Sequence, residues 1–487
     1  MKKSRNAFTA IFASLAAATS ANAQPAPAQH LLDSVREISA VPGMSAAVSK
    51  NGEIIWSGQS GVAELEAAKP VNADTKFRTA SVSKLFAATL ALQLAEEGKL
   101  DLDADIRNYV PDWPDHDGAV ITLRQLAAHT SGMPHYDGGD HYDASVLYDT
   151  LNDSLSIYAH KSLLFAPGEG YSYSSYGYAL MGAAVENVTK ESFADVLDRY
   201  VTGRLSLTET SAENIHALPP NTSHLFIQRG GEIPRNDQHH VLGATGILTT
   251  PSDLVEFADA FMSGALVRSE TVEDALTPAT LTNGKLAGET RFAVGFGWRV
   301  GKNWEGEDVA HHAGITPGAR SILTYNRDRH ITAALLSNAM WTSRIETTGE
   351  LIATAATEME SLAEARCPVG EWAYDGSFVS NPQYDPKGLP ANGRLSIHKN
   401  GDLCTGAFDP RGALADWMTE LNAGDSIMRV TLVAKRPTGL VFAVATPWGA
   451  FPMIWRAGDE HKLSGDIAGR ALTLHMFPTP SAAPPLP

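Results

Sequence analysis

Apolar residues in the first fifth of the chain recur with two different spacings. Two short apolar runs, residues 44–48 and 54–56, flank an Asn-Gly turn, which is a strong short-range signal for a β-hairpin. In residues 81–98 the apolar side chains recur at steps of three and four, and a glycine ends the run. This spacing puts them on one face, so it predicts a buried helix that starts near Ser81.

The middle of the chain mixes helical patterns with loops. Residues 100–263 contain helical runs such as 193–205, separated by segments rich in Gly, Asp, His and Pro. Strand patterns then return at three places: residues 293–300, 321–325 and 331–336. Residues 345–365 carry long helical periodicity. The predicted fold class is α/β in the broad sense (α+β), an antiparallel sheet flanked by helices with an inserted helical subdomain.

The composition changes after Cys367. Gly, Asp and Trp become frequent, and short strand-like runs such as 428–434 and 440–445 are separated by turn residues. This pattern predicts a small C-terminal β domain over residues 366–477, after a main domain over 24–365. A final Pro/Ser/Ala-rich stretch, 478–487, is predicted to be a disordered tail.

The N-terminus has the three parts of a cleavable signal peptide. Basic residues come first, an apolar stretch covers residues 7–18, and the small-residue site Ala21-Asn22-Ala23 follows. A membrane anchor is the alternative, but this stretch is shorter than the roughly 20 residues that span a bilayer. We expect residues 1–23 to be removed, and the mature protein to be periplasmic or secreted without stable membrane insertion.

Charge and cysteine content narrow the classes of partner. The chain has a formal net charge of −17, and losing the leader would make it more negative, which argues against nucleic acid as a partner. Cys367 and Cys404 are the two cysteines of the chain. An oxidising compartment would let them pair if the fold brings their Cα atoms within about 7 Å, and two separate buried thiols are the alternative.

The sharpest chemical pattern is Ser81-Val82-Ser83-Lys84 at the predicted helix start. Positions i and i+3 share a helix face, so the Lys84 amine can reach the Ser81 hydroxyl. A serine hydroxyl needs a base, and a lysine whose pKa is lowered by desolvation can supply one. Because a surface Ser/Lys pair can match this short pattern, its meaning depends on the other motifs.

Two further motifs follow in the chain. Residues 167–178 read PGEGYSYSSYGY before an apolar helical run, and His312-Ala313-Gly314 stands in a strand-like stretch. Taken together, the three motifs resemble those of the serine β-lactamase and penicillin-binding-protein family, which includes class C β-lactamases, DD-carboxypeptidases, D-aminopeptidases and esterases. Segments 121–132 and 243–254 also resemble family scaffold around the cleft, and the resemblance spans residues 34–365.

The resemblance implies roles for individual residues. Ser81 would be the acylated nucleophile, with Lys84 and Tyr173 managing its proton, which requires a nearby cation to lower the pKa of the phenol. The N–H groups of Ser81 and Ile315, beside Gly314, would form an oxyanion hole. His312 would line the pocket and orient the substrate or its carboxylate.

Two positions depart from the family pattern and affect the functional prediction. Ser175 stands where the family usually has Asn, and His312 stands where β-lactamases usually have Lys. A serine has a shorter reach and fewer donors than an amide, and a histidine is only partly charged near neutral pH. We therefore predict a D-Ala-type peptidase or an esterase acting on a small-molecule or peptide substrate. The alternatives are a class C-like β-lactamase and a low-activity binding or regulatory relative.

Other patterns are interpreted as structural. His311 and His312 are strand neighbours that point to opposite faces, so they do not suggest a metal site. Asp101, Asp103 and Asp105 lack the glycine that a calcium loop requires. The chain has no Gly-x-Ser-x-Gly elbow, which excludes an α/β-hydrolase. No metal and no cofactor are expected.

Overall fold

The computed structural model describes residues 26–136, 148, 150–227, 230–341, 344–379, 388–420, 427–456, 462–467 and 470–478. The predicted leader lies outside the described residues, and so does the predicted tail except for its first residue.

The helices are, in chain order, α1 (Ala26–Ile38), α2 (Ser83–Glu96), α3 (Leu123–Ala127), α4 (Leu155–Tyr158), α5 (Ser175–Thr189), α6 (Phe193–Leu197), α7 (Gly203–Leu205), α8 (Pro251–Met262), α9 (Ser269–Leu276), α10 (Ile345–Thr357), α11 (Met359–Ala363) and α12 (Ala413–Glu420). The strands up to the end of the main sheet are β1 (Gly43–Lys50), β2 (Glu53–Glu64), β3 (Lys69–Pro70), β4 (Phe77–Arg78), β5 (Ser211–Ala212), β6 (Leu225–Ile227), β7 (Glu232–Ile233), β8 (Ile247–Thr249), β9 (Gly288–Glu289), β10 (Phe292–Val294), β11 (Arg299–Lys302), β12 (Asp308–Thr316), β13 (Ala319–Asn326), β14 (Ile331–Ser337) and β15 (Ala339–Met340). The C-terminal strands are β16 (Gly370–Val379), β17 (Leu389–Pro390), β18 (Asn392–Asn400), β19 (Leu403–Arg411), β20 (Met428–Arg436), β21 (Gly439–Thr446), β22 (Gly449–Arg456), β23 (Lys462–Ile467) and β24 (Arg470–Pro478).

A nine-stranded antiparallel sheet forms the centre of the larger part of the molecule. Its strand order is β3-β2-β1-β14-β13-β12-β11-β10-β9. The hairpin predicted from the Asn-Gly turn is confirmed as β1 and β2. Because side chains alternate along a strand, Leu336 packs with α2 and α8 on one face and Leu335 with α1 and α10 on the other. The predicted fold class, an antiparallel sheet between helices, is confirmed.

Two predicted elements are interrupted in the structure. The strand predicted over residues 293–300 is wrong as a single element, because the chain turns between β10 and β11 at Gly297, whose φ is 87°. The helix predicted over 345–365 is divided at Glu358, where φ is −101° and ψ is 24°.

The C-terminal strands form a closed antiparallel barrel, in which β16 pairs with both β18 and β24. Its interior is filled by side chains such as Phe408, Phe442 and Met453. Trp372 and Tyr374 belong to the same core. The barrel rests on α1 and α10. Beside this contact, Arg436 of β20 pairs at 2.7 Å with Glu305, which lies in the loop between β11 and β12.

Cys367 and Cys404 form a disulfide with their Cα atoms 5.6 Å apart. The bond joins the segment after α11 to barrel strand β19. Among the described residues, no helix is both long and apolar enough to cross a membrane.

Candidate active site

Ser81 lies in a 3₁₀ turn, Ala80–Val82, immediately before α2. The turn is anchored from two sides, because Thr79 donates from its backbone N–H to the Ile247 carbonyl at 3.0 Å and accepts from the Ser321 hydroxyl at 2.5 Å. Ala80 has a φ of 48°, a left-handed conformation that is unfavourable for a residue with a Cβ. This strained turn places the Ser81 side chain at the start of the helix.

Lys84 is one helical turn further along and is fully buried. Its Nζ lies 3.3 Å from Ser81 Oγ, 3.0 Å from Ser175 Oγ and 2.9 Å from the carbonyl oxygen of Ala244. None of these partners is an acid, so burial lowers the pKa of Lys84 to about 7. The amine therefore spends much of its time neutral near pH 7 and can accept a proton from Ser81.

Tyr173 and Ser175 come from the segment that leads into α5. The Ser174 hydroxyl caps that helix by accepting from the Gly177 N–H, and the Ser174 N–H donates to His129 Nδ1 at 3.1 Å. These bonds fix the segment so that the Tyr173 ring centroid lies 5.0 Å from Lys84 Nζ. Burial raises the pKa of Tyr173, and nearby Arg299 and the Ser81 hydroxyl only partly oppose the rise. Tyr173 is thus a protonated phenol, contrary to the lowered pKa that its role as a base required.

His312 and Gly314 lie on β12, on the face that carries α2. The Nδ1 atom of His312 is 2.9 Å from the Ala313 carbonyl oxygen, which only accepts, so Nδ1 carries the proton and Nε2 is left as an acceptor. Burial, followed by the charge of Arg299, holds the pKa of His312 well below its usual range. The ring is neutral, so it cannot attract a substrate carboxylate by charge, and its role in orienting the substrate stays a prediction.

Gly314 lies directly against the nucleophile. A Cβ at this position would overlap the Thr79 carbonyl oxygen and the Ser321 hydroxyl, and would lie 2.9 Å from the Ser81 nitrogen. The strand backbone therefore passes beside the Ser81 amide, as an oxyanion hole requires. The Ile315 side chain is exposed, and the predicted role of its N–H stays a prediction.

A family model described as Beta-lactamase matches residues 29–356. The chain belongs to the beta-lactamase family. The predicted enzyme class, a serine hydrolase related to β-lactamases, is confirmed by this membership.

Individual relatives are distant. The chain is 26% identical over 314 residues to penicillin-binding protein 4* of Bacillus subtilis, covering 60% of this chain and 66% of that protein, just under two thirds of its length. It is 29% identical over 296 residues to esterase EstB of Burkholderia gladioli, covering 53% and 74%. The octameric penicillin-binding protein homologue of Pyrococcus abyssi is similar in structure, with a TM-score of 0.58, 18% identity, and 92% and 99% of the two chains covered.

This member of the beta-lactamase family also has a positively charged residue in its active site that was not predicted from the sequence. Arg299, at the start of β11, lies with its guanidinium carbon 5.6 Å from the centroid of the Tyr173 ring. Its charge contributes to lowering the pKa of Lys84 and of His312. Arg299 forms no ion pair with the residues that the structure describes. The sequence signal for Arg299 was weak, because its position beside Tyr173 depends on how β11 pairs with β12. In that pairing Arg299 lies opposite His311.

The histidines and aspartates that were interpreted above as structural lie in buried or ion-paired surroundings. His311 is buried on the opposite side of β12 from His312. Asp103 and Asp105 pair with Arg124 and Arg107 at 2.9 Å and 2.5 Å. Within the described ranges, no group of three or more His, Cys, Asp or Glu side chains could hold a metal ion.

Gly314→Ala is expected to lower kcat/KM by about 10²-fold or more while the protein still folds, because β12 must move away from the Ser81 amide. Hydrolysis of p-nitrophenyl acetate and circular dichroism would measure the two effects. Gly231→Ala is the matched control, since a Cβ there meets no atom within 4 Å. Unchanged activity in Gly314→Ala would show that this close approach has no catalytic role.

Proposed function

We propose that the protein is an exported serine hydrolase that forms an acyl-enzyme at Ser81 and acts on small peptide or ester carbonyls, with D-Ala-type peptides as the preferred peptide class. The observation that carries this proposal is the Lys84 amine, which lies 3.3 Å from the Ser81 hydroxyl without an acidic partner. Export is supported by the leader pattern and by the disulfide, because disulfides persist in oxidising compartments.

In the proposed reaction, Ser81 Oγ attacks the substrate carbonyl while neutral Lys84 takes its proton. The N–H groups of Ser81 and Ile315 stabilise the oxyanion. Tyr173, as a protonated phenol, donates its proton to the leaving group and is reprotonated from Lys84. Water then attacks the acyl-enzyme with the same groups acting in reverse, and the product acid leaves.

The charges around the cleft support a substrate that carries a carboxylate. His312 is neutral, whereas Arg299 is a cation beside Tyr173 with no acidic partner among the described residues. A peptide C-terminus would pair with Arg299, which a neutral ester does not require. Among the relatives, one is named a penicillin-binding protein and another an esterase, which supports both substrate classes.

The test is the intact mass of the mature protein after incubation with p-nitrophenyl acetate or benzylpenicillin, together with the rate at which each compound is consumed. Ester hydrolysis is expected in the wild-type protein and in Ser156→Ala, whose serine is exposed on α4, and is expected to be absent in Ser81→Ala. Benzylpenicillin is expected to form a stable adduct that depends on Ser81.

Other outcomes would correct the proposal. Rapid consumption of benzylpenicillin without an adduct would identify a class C-like β-lactamase. Binding of either compound without any turnover or acylation that depends on Ser81 would support a binding or regulatory relative instead.

A further inference from the structure

Arg320 is a buried arginine behind the strand that borders the cleft. It lies on β13 opposite Ile315 of β12, and only 8% of it is exposed. Because side chains alternate along a strand, Arg320 lies on the same face of the sheet as Ile322, which packs with α1 and α10. Ser321 lies on the other face, where its hydroxyl anchors the nucleophile turn. The Arg320 side chain is therefore on the opposite side of the sheet from the cleft.

The guanidinium of Arg320 contacts the backbone of β12. Its Nη1 atom donates to the Gly314 carbonyl oxygen at 3.2 Å. Its Nε atom is buried and has no hydrogen-bond partner among the residues that the structure describes. A buried donor without a partner costs about 1–3 kcal/mol. An apolar side chain would avoid that cost, so packing alone does not account for an arginine at this position.

The guanidinium is charged despite its burial. Burial lowers the pKa of Arg320, the charge of Glu346 at the start of α10 opposes the fall, and the charge of Arg299 adds to it. An arginine keeps its proton near neutral pH because its ordinary pKa lies above about 12. The Gly314 carbonyl thus accepts a hydrogen bond from a cation, which is stronger than one from a neutral donor.

The carbonyl that Arg320 holds belongs to the peptide that carries the Ile315 N–H. This peptide is trans, so its C=O and N–H point in opposite directions, and the N–H points away from β13. On that side β11 pairs with β12 only over residues 308–311, so no strand in the described part of the chain takes up this N–H. A Cβ on Gly314 would lie 2.9 Å from the Ser81 nitrogen, so the peptide adjoins the Ser81 amide.

We propose that Arg320 is a positioning residue for the oxyanion hole: it holds the Gly314 carbonyl from the far face of the sheet, so that the Ile315 N–H points at the oxyanion that forms on the carbonyl attacked by Ser81. This inference rests on the proposed function. A cation on the carbonyl also polarises the peptide and makes its N–H a stronger donor. The contribution of Arg320 belongs to the transition state, where the substrate oxygen becomes charged, and not to binding of the neutral substrate.

The test compares Arg320→Met with the wild-type protein in stopped-flow acylation by p-nitrophenyl acetate. Methionine is a long side chain without charge or donors. The maximal acylation rate is expected to fall by about tenfold or more, since complete loss of an oxyanion-hole donor costs about 10²- to 10³-fold. The ester concentration at half-maximal rate is expected to change by less than about twofold, because ground-state binding involves no oxyanion.

Two further readouts separate positioning from general damage. The rise of the rate through a pH of about 7 should keep its midpoint in Arg320→Met, because burial, Tyr136 and Arg299 set the pKa of Lys84. Phenylboronic acid mimics the transition state: Ser81 Oγ adds to boron, its proton passes to Lys84, and the tetrahedral boronate anion places an oxygen in the oxyanion hole. Its affinity should fall by the same factor as the maximal rate.

Arg329→Met is the matched control. Arg329 is a half-buried arginine at the other end of the β13–β14 hairpin, where it pairs with Glu358, and its loss should leave the acylation rate unchanged. Arg320→Gln, which keeps a polar group but not the charge, is the second variant and is expected to be slow in the same way. It decides the test if circular dichroism shows that Arg320→Met does not fold.

A folded Arg320→Met or Arg320→Gln protein with the wild-type acylation rate would overturn the inference. A shifted pH midpoint would also overturn it, because that result would place the damage at Lys84, and so would an unchanged affinity for phenylboronic acid. Failure of the proposed function is distinguishable: a wild-type protein that the ester does not acylate would contradict that function and this inference together. Acylation that needs Ser81 but is unaffected by the loss of Arg320 would overturn the inference alone.

Discussion

Lys84→Met is expected to slow acylation of Ser81 by about 10²- to 10⁴-fold, the usual contribution of a general base. The lysine is fully buried and reaches Ser81, Ser175 and the Ala244 carbonyl within 3.3 Å. Methionine fills similar space without the amine, so the loss reports the proton acceptor rather than a cavity. Stopped-flow acylation by p-nitrophenyl acetate measures the rate, and circular dichroism checks the fold.

The pH profile separates a base from a fixed charge. The pKa of Lys84 is about 7 and its neutral form is the base, so acylation by the wild-type protein should rise as the pH increases through about 7 and then level off. This rise should disappear in Lys84→Met. Lys84→Arg keeps the charge but cannot give up its proton near neutral pH, and should remain slow. Recovery of the rate in Lys84→Arg would contradict the assignment of Lys84 as the base.

The contact between Ser81 and Lys84 was predictable because both residues lie at the start of one helix. Ser81 and Lys84 are three residues apart, and any helix that begins at this point brings their side chains together. The meeting of Tyr173 and Gly314 with this helix was predicted only through the family resemblance, since these residues are far apart in the sequence. The raised pKa of Tyr173 could not be predicted, because it results from burial that the tertiary structure creates.

The position of Arg299 shows what sequence patterns do not contain. Arg299 reaches the cleft because β11 pairs with β12 in one particular register, after a turn that the predicted strand 293–300 did not include. A cavity of about 880 Å³ likewise combines strands β9 to β11 and α10 with β22 of the barrel, which comes much later in the sequence. The pairing of Cys367 with Cys404 likewise depended on a distance that only the fold supplies.

Glu213→Gln is expected to lower the free energy of unfolding by about 3–5 kcal/mol, the typical cost of breaking a buried ion pair by removing one charge. Glu213 and Arg78 both have fully buried side chains, and Arg78 Nε donates to Glu213 Oε2 at 2.6 Å. Arg235 pairs with the other carboxylate oxygen, and Asn236 accepts from Arg78. Without the carboxylate, two arginines would remain next to each other with little access to water.

Urea unfolding followed by tryptophan fluorescence measures this loss, and the transition assigned to the hydrolase part is the one expected to move. Glu270→Gln is the matched control, because the exposed pair of Glu270 with Arg268 should contribute less than about 1 kcal/mol. An equally small effect in Glu213→Gln would mean that water or a local rearrangement compensates the two arginines.

Arg78 ends the short strand β4, three residues before Ser81, so a loss of this pair also loosens the anchor of the nucleophile turn. We therefore expect acylation of Ser81 to decline at lower urea concentrations in Glu213→Gln than in the control.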